Sequence, residues 1–77
     1  MTTAADKSTV ARINRKLTRY ESTQYLKVHV TRNHNVRQNY GNFILLDTYS
    51  NALLDGDHLI ERLESRITET YLQAVAA

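Results

Sequence analysis

Seventy-seven residues without cysteine or proline fit one small domain, able to bury only about 60% of its unfolded surface, and exclude a disulfide framework or a thiolate metal site. With 42% hydrophobic and 23% charged residues, the composition excludes a disordered polyelectrolyte, and the strongest apolar run, Phe43–Leu46, is far too short to span a bilayer. Net charge is only +2, yet residues 1–42 carry eight basic side chains against two acidic (+6) and residues 43–77 carry two against six (−4). Such a bipolar chain can pair its halves internally, pair with a second copy, or offer a basic face to an acidic partner.

The polar opening, residues 1–7, has no apolar anchor and reads as a frayed end without a secretory signal. Helical spacing begins at Ser8. Val10, Ile13, Leu17 and Tyr20 recur at intervals of three, four and three and share one face. Asp6, Ser8 or Thr9 can cap the start. The opposite face carries Arg12, Arg15, Lys16 and Arg19, and the pattern fades at Glu21–Thr23. Gln24–Thr31 then alternates, with Leu26, Val28 and Val30 facing one way and Tyr25, Lys27, His29 and Thr31 the other, the period of a half-buried strand. Arg32–Tyr40 is rich in asparagine and predicts a polar hairpin loop. Phe43–Tyr49 predicts a second strand with apolar residues on both faces, Phe43 and Leu45 on one and Ile44 and Leu46 on the other. Tyr49–Asn51 turns the chain into a short third strand, Ala52–Leu54. Asp57, supported by Asp55, predicts the N-cap of a last helix. Its apolar stripe is Leu59, Ile60, Leu63, Ile67, Tyr71, Ala74 and Val75, ending near Ala74. Gly41 and Gly56 are expected at element boundaries.

The order predicts an α+β fold of αβββα type: a three-stranded antiparallel meander with both helices on one sheet face. The remaining face presents Tyr25 and His29 beside either Phe43 and Leu45 or Ile44 and Leu46, depending on register. An apolar face of this kind, or the strand edge beside it, is expected to meet a second copy or another protein, and the small core points the same way.

Motifs for catalysis or cofactors are lacking. His29, His34 and His58 show no zinc-ligand spacing. Asp55 and Asp57 fit turn and cap roles, Ser50 lacks an elbow motif, and neither glycine belongs to a phosphate-cradling pattern. No catalytic residue, cofactor or metal is therefore expected. Two binding surfaces are. One comprises Tyr25, His29, Arg32, His34, Arg37 and Tyr40, rich in the residue types that anchor protein interfaces. The other is the basic face Arg12, Arg15, Lys16 and Arg19, extended by Lys27, Arg32 and Arg37 and interleaved with Tyr20, Tyr25 and Tyr40, which suits nucleic acid.

Ala11–Leu17 (ARINRKL), followed by Arg37–Asp47 (RQNYGNFILLD), Asn51 and an acidic-capped helix, resembles a group of short bacterial proteins found in phage and mobile-element settings. The likeness covers about residues 10–65, and the strand-like Tyr25–Thr31 departs from the group. It brings no activity or site residue. It implies a mobile-element accessory protein in the cytoplasm of a bacterium or phage-infected host. Proteins of that sort bind a host protein machine, sometimes a defence nuclease, and inhibit or redirect it. The expectation is a non-enzymatic protein-binding module, homodimeric and without membrane attachment, with nucleic-acid binding through the first helix as the alternative.

Overall fold

The computed structural model describes residues 3–73, and in it helix α1 spans Ala4–Arg19. It starts earlier than the apolar spacing suggests because Thr3 and Asp6 form a capping box. The Thr3 hydroxyl accepts from the Asp6 N–H and the Asp6 carboxylate from the Thr3 N–H, both at 3.1 Å, so two amides are satisfied reciprocally. Thr3 is thus the cap, in place of Asp6, Ser8 or Thr9, and Ala4–Lys7 is helical where fraying was expected; residues 1–2 lie outside the described residues. After α1, Thr23 in a short 3₁₀ turn donates its buried hydroxyl to the Leu17 carbonyl at 2.6 Å, satisfying an orphan acceptor of the helix end.

Strands β1 (Leu26–Val30), β2 (Phe43–Asp47) and β3 (Ala52–Asp57) form one antiparallel sheet in the order β1-β2-β3. Helix α3 (Ile60–Ile67) follows and continues through a π turn at Thr68–Leu72. The core joins Ile13 and Leu17 of α1 to Leu26, Val28, Phe43 and Leu45 of the sheet and to Ile60, Leu63, Ile67 and Leu72. Both long helices therefore pack on one sheet face, and the α+β helix–meander–helix arrangement is present.

Three elements differ from the sequence reading. Arg32–Tyr40 is not a loop throughout: His34–Tyr40 forms a further helix, α2. The Asn33 side chain accepts from the Asn35 and Val36 amides at 2.9 and 3.2 Å, and the Gly41 N–H closes the other end on the Arg37 carbonyl at 2.9 Å. None of its residues is fully buried, so no apolar stripe announced it. Strand β3 runs past Leu54 to Asp57, which places Gly56 within a strand and moves the helix N-cap to Leu59. Asp57 instead accepts the Leu59 N–H at 3.0 Å. Finally, Leu72, outside the expected stripe, is the residue buried after Ile67, while Leu59 is 49% exposed. The five-residue step from Ile67 to Leu72 suits the wider π turn. Ala74 and Val75 lie outside the described residues.

Both edges of the sheet are occupied by a helix side chain. Tyr25 and Thr31 make the β1–β2 ladder bonds, to Thr48 and Asn42, so by alternation the Val28 N–H and C=O point away from β2. Asn14 of α1 takes both, accepting from the N–H at 2.7 Å and donating to the carbonyl at 3.0 Å. On β3, Arg66 of α3 donates to the Gly56 carbonyl at 2.9 Å and pairs with Asp55 and Asp57 at 2.9 and 2.8 Å.

The two glycines meet where the α2–β2 junction crosses the end of β3. Gly41 has φ +107°, and a Cβ there would lie 2.6 Å from the Asp57 carbonyl oxygen and the His58 nitrogen; one on Gly56 would lie 2.5 Å from the Tyr40 carbonyl oxygen. Gly41→Ala combines left-handed backbone strain with this clash and is expected to lower stability by about 2 kcal/mol or more. Urea denaturation reads the loss; an unchanged midpoint would show that the crossing can open without penalty.

Candidate functional site

Register decides which residues face away from α1 and α3. His29 stands opposite Ile44, and Lys27 opposite Leu46; on the far side Leu46 stands opposite Leu53 and Ile44 opposite Gly56. Since Val28, Phe43 and Leu45 point into the core, this second set forms the outer face. Ile44 and Leu46, not Phe43 and Leu45, are thus the outward pair. The ladder shifts between Leu45 and Leu46, a bulge that leaves Leu54 as an extra, exposed residue beside Leu53. Ile44, Leu46 and Leu53 are only half-buried.

Tyrosines stand at both ends of this surface. At the hairpin end the Asp47 carboxylate accepts from the Tyr49 N–H at 2.9 Å, and Asn51 takes the left-handed conformation that closes the turn, φ 59°. This holds Tyr49 against Tyr25, ring centroids 5.3 Å apart and planes tilted by 49°, a favourable aromatic geometry. At the other end Tyr40 crosses Gly56. Beside α2 an open groove of about 630 Å³ runs from this face over the β1 edge, walled by Val10, Val28, Val30, Val36, Ile44 and Leu46, with His29, Thr31 and Arg32 among its polar residues.

The polar groups here are donors and cations. Burial lowers the His29 pKa below its usual 6.5, and Lys27 and Arg32 lower it further. Thr31 donates its amide to the Asn42 carbonyl at 2.8 Å and accepts from the Arg37 guanidinium at 3.1 Å. Its buried hydroxyl has no partner.

Of the residues expected to bind a partner, Tyr25 and His29 fall on the outer face, Arg32 lines the groove and Tyr40 crosses the far end of that face. His34 begins α2 and is exposed. Arg37 is engaged with the Thr31 carbonyl and belongs to the support of α2. Val36, Leu53, Leu54 and Tyr49 join the surface although the sequence reading passed over them. The helix carrying Val36 and Tyr40 had a signal in Asn33 and Gly41, a cap at each end of that segment.

The basic strip of α1 is divided. Arg12 reaches across to α3 and bonds Glu64 at 2.9 and 3.1 Å. Among the described residues, Arg15, Lys16 and Arg19 make no ion pair. Lys16 and Arg19 line a second groove, of about 690 Å³, with Tyr20, Leu72 and Glu69, so its charge is mixed.

Among the described residues no group of three His, Asp or Glu side chains is placed to hold a metal ion. None of the described helices is long and apolar enough to cross a membrane.

No family model, curated protein or solved structure matches the chain. The two surfaces themselves therefore carry the functional argument.

Two outcomes follow at the outer face. Thr31→Val removes an unpaired buried hydroxyl and is expected to raise stability by about 1 kcal/mol, seen as a higher Tm; a fall would mean that the hydroxyl is satisfied in solution. For His29, the unfolded chain binds a proton more readily than the folded one. Its contribution is therefore complete above the usual pKa and is lost as pH falls towards the lower folded value. His29→Gln is expected to flatten the decline in Tm between about pH 7.5 and 5.5, and an unchanged slope would assign that decline to another group.

Proposed function

We propose that this chain is a non-enzymatic protein-binding module that receives its partner on the outer sheet face. Continuity carries the reading. Ile44, Leu46, Leu53 and Leu54 cross the sheet as one apolar surface, bounded by Tyr25 and Tyr49 at one end and Tyr40 at the other. Apolar patches on small proteins are commonly interaction sites, and tyrosines give rigid anchors with a polar tip. The resemblance of Ala11–Leu17 and Arg37–Asp47 to proteins of phage and mobile elements supports an accessory role, in which binding inhibits or modulates a host protein machine. A second copy of the chain is the competing occupant of the face.

A nucleic-acid reading draws on Arg15, Lys16 and Arg19, exposed together on α1. It is the weaker one, because Arg12 is held by Glu64 and Glu69 stands beside Lys16 and Arg19 in their groove.

Leu54 is exposed, so Leu54→Glu alters the face without opening the core. In capture from a lysate of the natural host, Leu54→Glu is expected to reduce recovery of the partner by about tenfold or more, while Arg15→Glu with Arg19→Glu leaves it unchanged. The opposite pattern, with steeply salt-dependent binding to DNA or RNA, would favour the nucleic-acid reading. A dimeric mass in light scattering that Leu54→Glu reduces to the monomer would assign the face to a second copy.

A further inference from the structure

The groove beside α2 is chemically one-sided. Its walls are apolar, at Val10 of α1, Val28 and Val30 of β1, Val36 of α2 and Ile44 and Leu46 of β2, so it runs from the outer face over the β1 edge, and its polar side chains are His29, Thr31, Arg32 and Asn33, with no carboxylate. Lys27 adds a further cation on the same face, opposite Leu46. The acids nearest in sequence to the outer face point elsewhere: Asp55 and Asp57 are held by Arg66, and Asp47 closes the hairpin turn. A cationic rim around an apolar groove is complementary to apolar side chains flanked by carboxylates.

Two other modes of occupancy are disfavoured. Strand addition needs free backbone groups along an edge, and the middle of each edge is filled, by Asn14 at Val28 and by Arg66 at Gly56. A second copy would set one cationic rim against another. The flat face is also small: strands of five, five and six residues project roughly 250 Å², well below the approximately 800 Å² that each partner buries in a stable interface. The groove volume of about 630 Å³ suits a few side chains of a peptide segment.

We propose that the groove beside α2 receives a short acidic segment of a different protein, an apolar side chain entering between Val36 and Leu46 while carboxylates on either side meet Lys27 and Arg32. This rests on the docking role of the outer face and adds the chemistry of the partner. Arg32 and Lys27 supply charge-assisted hydrogen bonds at the rim, and the Val36–Leu46 cleft supplies the apolar contact. The segment lies across the face and does not join the sheet.

The test is selection of a displayed library of random twelve-residue peptides against the immobilised intact chain. Selected peptides are expected to carry Asp or Glu beside Leu, Phe or Trp. As synthetic peptides they should shift the amide resonances of His29, Thr31, Val36 and Leu46. Lys27→Glu with Arg32→Glu, both exposed positions, should weaken them by about tenfold or more, and replacing their Asp and Glu by Asn and Gln should do the same. Peptides that map to the outer face but have no acidic bias, and ignore the charge reversal, would overturn the acidic-segment proposal and leave the docking role standing. Recovery of no peptide that maps to this face would overturn both. Concentration-dependent shifts of the same resonances without peptide would assign the groove to a second copy and overturn the proposal.

Discussion

One guanidinium organises the acidic half of the chain. Arg66 bonds Asp55 through Nε and Nη2 at 2.9 and 3.1 Å, Asp57 through Nη1 at 2.8 Å and the Gly56 carbonyl through Nη2 at 2.9 Å. Asp55 and Asp57 stand opposite the core residues Leu45 and Phe43, where unpaired carboxylates would be costly. The Leu59 amide and then Arg66 hold the Asp57 carboxyl below its usual pKa, and the two carboxylates raise that of Arg66. Arg66 is 42% exposed in its side chain, so screening keeps the Coulomb contribution modest. Its larger effect is geometric. It keeps β3 in register as far as Asp57, seats α3 on that strand, and so holds Gly56 where Tyr40 can cross it.

That crossing joins the two faces of the sheet. On the inner side, the α3 face built from Ile60, Leu63 and Ile67 packs against Phe43 and Leu45. On the outer side, α2 lies across the sheet without burying any residue of its own. The groove walled by Val36, Ile44 and Leu46 exists because α2 rests on the end of β2 and β3 and leaves the middle open. Changes at the glycines will therefore be felt on the outer face as well as in the core.

Elements that bury a stripe were legible in the sequence. Val10, Ile13 and Leu17 gave α1, the alternation of Leu26, Val28 and Val30 gave β1, and the two-sided run Phe43–Leu46 gave β2. Elements held by polar contacts were not. Helix α2 is held by Asn33, Gly41 and the Arg37–Thr31 bond, and an asparagine-rich segment reads equally well as a loop. Asp57 looked like a helix cap because aspartate favours caps, but its pairing with Arg66 nine residues later drew it into a strand. Of the partner-binding residues expected from residue type, Tyr25 and His29 lie on the outer face, Arg32 lines the groove and Tyr40 crosses Gly56. Leu53 and Leu54 were missed because the bulge, which turns them outward together, is a property of pairing and has no local mark. Arg12 was indistinguishable in sequence from Arg15 until Glu64, fifty-two residues away, came beside it.

Asn14 and Arg66 have a consequence for how the protein behaves in a crowd. A short sheet with bare margins is a template on which like chains can stack without limit, the route to fibrils. Here the middle of each margin is filled by a side chain from the chain's own helices, so an added strand would meet a side chain where it needs backbone partners. The contacts that tie the two helices to the sheet thus also oppose its sideways extension.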